Sequence, residues 1–361
     1  MSGGQSATTW VVGESEGLDA VAFLGALSGD DFYVREYETE TADFSAQMPA
    51  EVPADLKALR EEATSSGFGL LWPNLANILS AARTETIEDI LVALDHLETD
   101  VRPRYEQSQY WDENDWKWLT AAAVRIREVI AAMRDGGFVA FRTQLVGTNL
   151  AERAHVLREE LSGYDVVSWG RRLSGKEFES TVRILLLYFC KPHGVRIQGQ
   201  RFIQSPDFDL PTTVRVASHE LLHPPIDMTG TIAREVLATL ARDPLIPRVV
   251  REHDASLGYT TLDGMLNEDL CQAVDQLITD SLDVARDPAQ RWSELDGGIH
   301  IFAAALYGLL RDDGWAERGG NLEAWLGQAH ADGRLAPEVL HQSAADVLRR
   351  PADELWPPFD S

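Results

Sequence analysis

The chain has 361 residues, of which 44% are hydrophobic and 25% charged, the balance of a soluble globular protein with ample length for a buried core. Asp and Glu number 58 against 32 Lys and Arg, giving a formal net charge of −26. A surface that acidic repels phosphate backbones and anionic lipid, which argues against nucleic acid and membrane surfaces as partners.

Two cysteines, Cys190 and Cys271, form no C-x-x-C pair and no disulfide framework, and read as small buried hydrophobes. The longest apolar runs, such as Ile184 to Cys190, are far short of a membrane span. Met1 to Thr9 are small and polar, with no basic stretch ahead of an apolar run. A cytoplasmic location is therefore expected, or a secreted one if a leader has been removed.

In chain order, Trp10 to Val12 reads as a short strand and Gly17 to Leu27 as a helix. Arg35 to Ala50 is acidic, weakly periodic and reads as loop. A helix follows Pro53 and ends at Gly67, with further helices over Leu75 to Ala82 and Thr86 to Glu98. The aromatics Tyr105, Tyr110, Trp111, Trp116 and Trp118 read as the core of a helical domain. A long amphipathic helix from Trp116 to Arg134 stops at Gly136-Gly137. Residues 1–137 are thus expected to form a mostly helical N-terminal domain.

The pattern then changes. Phe138 to Phe141 and Asp165 to Trp169 look like strands, separated by a helix from Asn149 to Leu161. Thr181 to Cys190 and Val195 to Gln204 are rich in β-branched and aromatic residues and flank Lys191-Pro192-His193-Gly194, which predicts a β-hairpin. His193 in that turn is read as solvated. A helix begins near Pro211, with Thr212 or Thr213 as its N-cap, and Pro224-Pro225 closes it. Every later segment reads as helix: Thr229 to Ala241, Ile246 to His253, Thr261 to Leu282, Ile299 to Leu310, Leu322 to His330 and Pro337 to Leu348. The fold class expected is α+β and predominantly helical. Residues 138–361 form its second domain, divided into an α/β part (138–228) and a helical lobe (229–361).

The helix between the two prolines carries Ser218-His219-Glu220-Leu221-Leu222-His223, an H-E-x-x-H pattern. Residues four apart share a helix face, so His219 and His223 can offer two imidazole nitrogens to one ion. Glu220 lies about 100° round the axis, within reach of a water at that ion without being a ligand. Two histidines leave a zinc site short of its usual three protein ligands. Candidate downstream donors are Asp227, Glu235, His253, Asp254, Glu268, Asp269 and Asp275.

The order of α/β segment, hairpin, H-E-x-x-H helix and helical lobe resembles the zincin metallopeptidases of the gluzincin, thermolysin-like branch, over roughly residues 138–310. That resemblance implies one Zn²⁺ per chain, His219 and His223 as ligands, and Glu220 as general base in hydrolysis of a peptide or protein substrate. It also implies a Glu ligand from a later helix, for which Asn267-Glu268-Asp269-Leu270 is the matching segment, with Asp269 the nearest competitor. The strand from Val195 to Gln204 would border the cleft and pair with an extended peptide.

Three features depart from the branch's pattern: the long interval between His223 and Glu268, Gln272 where an acid would orient a ligand histidine, and the early stop at Pro224-Pro225. Gln272 is expected behind a ligand, and Asp275, two turns on from Glu268, too far along the axis to bind the same ion. The developing oxyanion needs a donor, for which His300 and Tyr307 share a helix face and Tyr259 and His253 also qualify. The rival readings are a zincin scaffold that binds without catalysing, and a zinc hydrolase of a non-peptide amide.

Overall fold

The computed structural model describes residues 7–192, 194–254, 257 and 259–357, so His193 lies outside the described residues. Most of the chain is helix, with one four-stranded sheet, an α+β composition. Contacts divide it into two compact units that interleave along the sequence. One holds residues 9–162 and 181–210; the other holds 1–8, 163–180 and 211–361. The boundary expected at 137/138 is not where the chain divides, because Thr181–Leu186 pairs with the first strand and carries the later strands with it.

In the unit of residues 9–162 and 181–210, β1 (Thr9–Glu14) runs parallel to β2 (Thr181–Leu186), with Trp10 opposite Val182 and Val12 opposite Ile184. β3 (Val195–Ile197) and β4 (Arg201–Gln204) complete the sheet in the order β1-β2-β4-β3. This corrects the hairpin expected between Thr181–Cys190 and Val195–Gln204. β2 and β4 are parallel, and among the described residues the only antiparallel pair is β3 with β4, within what reads in sequence as one strand. Gly199, at φ 76°, lets the chain turn back there. β4 is flanked on both sides, so its backbone has no open edge for an added peptide strand.

The helix Glu16–Leu27 starts at Ser15, whose side chain accepts from the Leu18 amide, and Gly17 to Leu27 are all buried. A helix buried on every face needs apolar or small residues all round, which this one has except at Asp19. The aromatic cluster is core as expected: Tyr105 and Trp111 meet at 5.3 Å and Phe68 stacks on Trp118 at 4.1 Å. Part of the segment read as loop is helical, Glu38–Ser45, anchored by the buried Phe44.

Two expected strands are helices. Phe138 to Phe141 opens the helix Phe138–Val146, and Asp165 is the N-cap of Val166–Ser174, accepting from the Ser168 amide. Short apolar runs do not distinguish strand from helix by periodicity alone, and the capping aspartate was the stronger signal.

Among the described residues, the regular elements of the other unit are all helices. The motif helix spans Leu210–Leu222, so Thr212 and Thr213 lie inside its first turn and are not its N-cap. Val214, Ala217, Leu221 and Leu222 form its buried side. Gly170 allows the helix Val166–Ser174 to approach closely, since a β-carbon there would stand 2.9 Å from Leu221 Cδ2. The long helix Leu262–Ser281 is buried at nearly every position from Met265 to Thr279 and forms the spine of this unit's core.

Candidate metal centre

His219 lies in the last turn of the motif helix and His223 one residue beyond its end, followed at once by Pro224-Pro225. The Lys176 ammonium donates to the Pro224 carbonyl and ties this corner down. The two imidazoles point at one spot: His219 Nε2 and His223 Nε2 are 2.9 Å apart. Glu268, on the helix Leu262–Ser281, places Oε1 3.4 Å from His219 Nε2 and Oε2 3.6 Å from His223 Nε2. Among the described residues this is the one set of His, Cys, Asp or Glu side chains grouped closely enough to hold an ion.

The dimensions fit a small cation. Tetrahedral ligands about 2.0–2.2 Å from zinc stand roughly 3.3–3.6 Å from one another; the two carboxylate–imidazole spacings match this, and the 2.9 Å between the imidazole nitrogens would have to open slightly. Two imidazole nitrogens and a carboxylate oxygen are also a donor set that suits zinc. The three side chains retain 19%, 16% and 12% exposure, so a fourth position can be reached from solvent.

The helix Leu262–Ser281 supplies more than Glu268. Three residues on, the Cys271 sulfur lies 3.3 Å from His223 Nδ1. Four residues on, Gln272 Nε2 donates to Glu268 Oε1 at 2.9 Å, while its own oxygen accepts from Trp292 Nε1 at 2.8 Å. Seven residues on, Asp275 Oδ2 lies 2.8 Å from His219 Nδ1. Positions 3, 4 and 7 along a helix share one face, so a single stripe carries one candidate donor and a partner for each of the three. Arg291 grips Asp275 through both its terminal nitrogens, Nη2 reaching Oδ2 at 3.0 Å.

Electrostatics follow from this crowding. Burial opposes charge on His219, but Glu268 and Asp275 outweigh it and raise its pKa well above the usual histidine range. Burial likewise opposes charge on Glu268, and His219, with His223 and His300 behind it, holds that carboxyl far below its usual range. Asp275 is kept ionised against burial by Arg291 first and His219 second. A cation at the centre would take the place of the proton on His219.

The other candidates fall in different places. Asp269 faces away from the histidine pair, accepting from the Ala303 amide at 3.1 Å and lying 2.7 Å from His300 Nδ1. Asp227 caps a turn at Thr229, Glu235 lies near His330, and His253 Nδ1 bonds the Val249 carbonyl. His300 is fully buried and both its nitrogens are held, Nδ1 by Asp269 and Nε2 by Asp296 at 2.9 Å. Burial works against its charge, but those carboxylates lift it to about 9. It has no N–H left for an oxyanion. Tyr307 is not brought to the cluster: its hydroxyl donates to Asp280 Oδ2 at 2.9 Å. Asp280 lies on the helix of Glu268, about 18 Å along its axis.

Tyr259 is brought in. Its ring meets His300 edge-on at 5.3 Å. Burial, then the nearby charges of Glu268, Asp296, Asp269 and Glu220, push its hydroxyl far above the usual tyrosine range, so it stays protonated. Its φ of 56° is a left-handed backbone seldom adopted by a bulky residue, the kind of local strain that accompanies sites. Glu220 is half-buried, one position round the motif helix from His219. Compared with known protein families, curated proteins and solved structures, the chain matches none of them.

Proposed function

We propose that this chain is a mononuclear zinc-dependent metallopeptidase of zincin type. The observation that carries the reading is the convergence of His219 Nε2, His223 Nε2 and the Glu268 carboxylate on one partly open point, with Glu220 next to His219 on the same helix. Zinc bound there supplies Lewis-acid polarisation of a carbonyl and lowers the pKa of water near it. The chain's own residues do the rest. His219 and His223 present neutral nitrogens, each oriented by a partner at Nδ1. Glu220 accepts a proton from the attacking water and returns it to the leaving amine. The Tyr259 hydroxyl, protonated throughout, is the donor suited to the developing oxyanion, the role His300 and Tyr307 cannot fill.

Glu220→Gln tests this directly. The amide keeps the shape and cannot act as base, so the variant should hold zinc as the wild type does and hydrolyse a mixed peptide library on the order of 10²-fold more slowly or worse. Wild-type turnover by that variant would remove Glu220 from the mechanism. Zinc-loaded wild type that cleaves simple amides and no peptide would replace the substrate class.

A further inference from the structure

We propose that Cys271 is a positioning residue of the metal centre, its sulfur accepting from Nδ1–H of His223 and thereby turning Nε2 toward the ion; this rests on the zinc reading above. A histidine ligand needs its other nitrogen fixed, because that bond selects the tautomer and holds the ring. His219 obtains this from the Asp275 carboxylate. For His223 the group 3.3 Å from Nδ1 is a thiol, a weak acceptor at normal sulfur distance.

The sulfur is not placed as a fourth ligand. It lies on the Nδ1 side of the ring, whereas the site is defined by Nε2, which faces His219 Nε2 and Glu268. Cys271 is fully buried, so its side chain cannot swing to solvent, and its helix brings Glu268 and Asp275 to the same cluster. The other cysteine shows the contrast: Cys190 Sγ lies 3.3 Å from the Leu187 carbonyl, within its own turn. Sequence spacing alone treats both as buried apolar residues; only the fold separates them.

The test measures zinc affinity by chelator competition and the His223 tautomer by long-range ¹⁵N NMR of the metal-free full chain. Cys271→Ala should weaken zinc binding about 10- to 100-fold, the range for lost outer partners of metal ligands. It should also remove the clean Nδ1–H tautomer at His223 while leaving His219 unchanged. Cys271→Ser, with a hydroxyl that still accepts, should recover part of both, and serves if the alanine variant does not fold. Cobalt-substituted wild type should lack a sulfur-to-metal charge-transfer band. Wild-type affinity and tautomer in both variants would overturn the inference while leaving the zinc site standing. A charge-transfer band lost in Cys271→Ser would make the thiol a ligand and overturn it differently. Wild type that binds neither metal would overturn the zinc reading along with it.

Discussion

Each compact unit buries a carboxylate against cationic or potentially cationic groups, and the two arrangements have opposite chemical consequences. In the sheet-containing unit, Asp19 is fully buried and accepts from Arg142 Nε at 2.7 Å, the Phe189 amide at 2.8 Å and the Tyr188 amide at 3.1 Å. Arg142 also reaches Glu14 at 2.8 Å. Both oxygens of Asp19 are answered by donors. Such a cluster holds elements together and has nothing to offer a ligand. At the candidate metal centre, Glu268 stands 3.4 and 3.6 Å from imidazole nitrogens that stand 2.9 Å from each other. There the donor atoms crowd toward one point, with Glu268 Oε1 also accepting from Gln272, and that convergence, which Asp19 lacks, is what would suit the cluster to an ion.

The comparison breaks most visibly at the ligands. His219→Ala or His223→Ala should abolish stoichiometric zinc binding and peptide hydrolysis, read by metal analysis and by assay. The same variants should cost the metal-free protein less stability in urea unfolding than loss of a sole cationic partner, because Glu268 keeps Gln272 and the other imidazole, and Asp275 keeps Arg291. Arg142→Met should do the opposite: it strands Asp19 and should lower unfolding free energy by about 3–5 kcal/mol, the usual result of removing one partner of a buried pair. A metal-free His219→Ala destabilised as much as Arg142→Met would erase the distinction.

His300 sharpens it through pH. Its folded pKa is raised to about 9 from 6.5, so the stability it contributes is complete below about pH 6.5 and lost as pH rises through 9. The shift corresponds to about 3 kcal/mol. Urea unfolding of metal-free wild type should therefore weaken across that window more than that of His300→Asn; parallel pH profiles would mean that His300 is not held as an imidazolium. Asp275→Asn should come next, weakening zinc binding about 10- to 100-fold through the His219 ring. Tyr307→Phe removes only the bond to Asp280, and should cost about 1 kcal/mol of stability with turnover unchanged. A large loss of turnover in Tyr307→Phe would return that residue to the site.

Much of this centre is legible in the sequence because its logic is local. His219, Glu220 and His223 follow from one helix motif, whereas the choice of Glu268 among several downstream donors rests on the resemblance to gluzincins. Gln272 behind a ligand is also read from spacing, although the ligand it meets is Glu268. Asp275 escapes, since two turns is too far for the same ion. An imidazole, however, carries its second nitrogen on the far side of the ring, and that span lets Asp275 meet His219 from behind. Cys271 escapes because a buried thiol looks the same in sequence whether it faces a carbonyl or an imidazole. Tyr307 misleads because sharing a helix face with His300 says nothing about which end of that face meets the cluster. In the fold, the parallel pairing of β2 with β4 is invisible locally: a turn-like Lys191-Pro192-His193-Gly194 suggests a hairpin, whereas the pairing is fixed by partners far away in sequence.

The central claim is that three side chains converge on one zinc ion, and X-ray absorption at the zinc edge on the purified full chain, with metal content determined on the same sample, tests it most directly. The account predicts about one zinc per chain, with nitrogen and oxygen neighbours at about 2.0–2.2 Å and no sulfur shell. Absence of zinc after metal reconstitution, a sulfur neighbour near 2.3 Å, or near-stoichiometric zinc retained by the His219→Ala/His223→Ala double variant would contradict it.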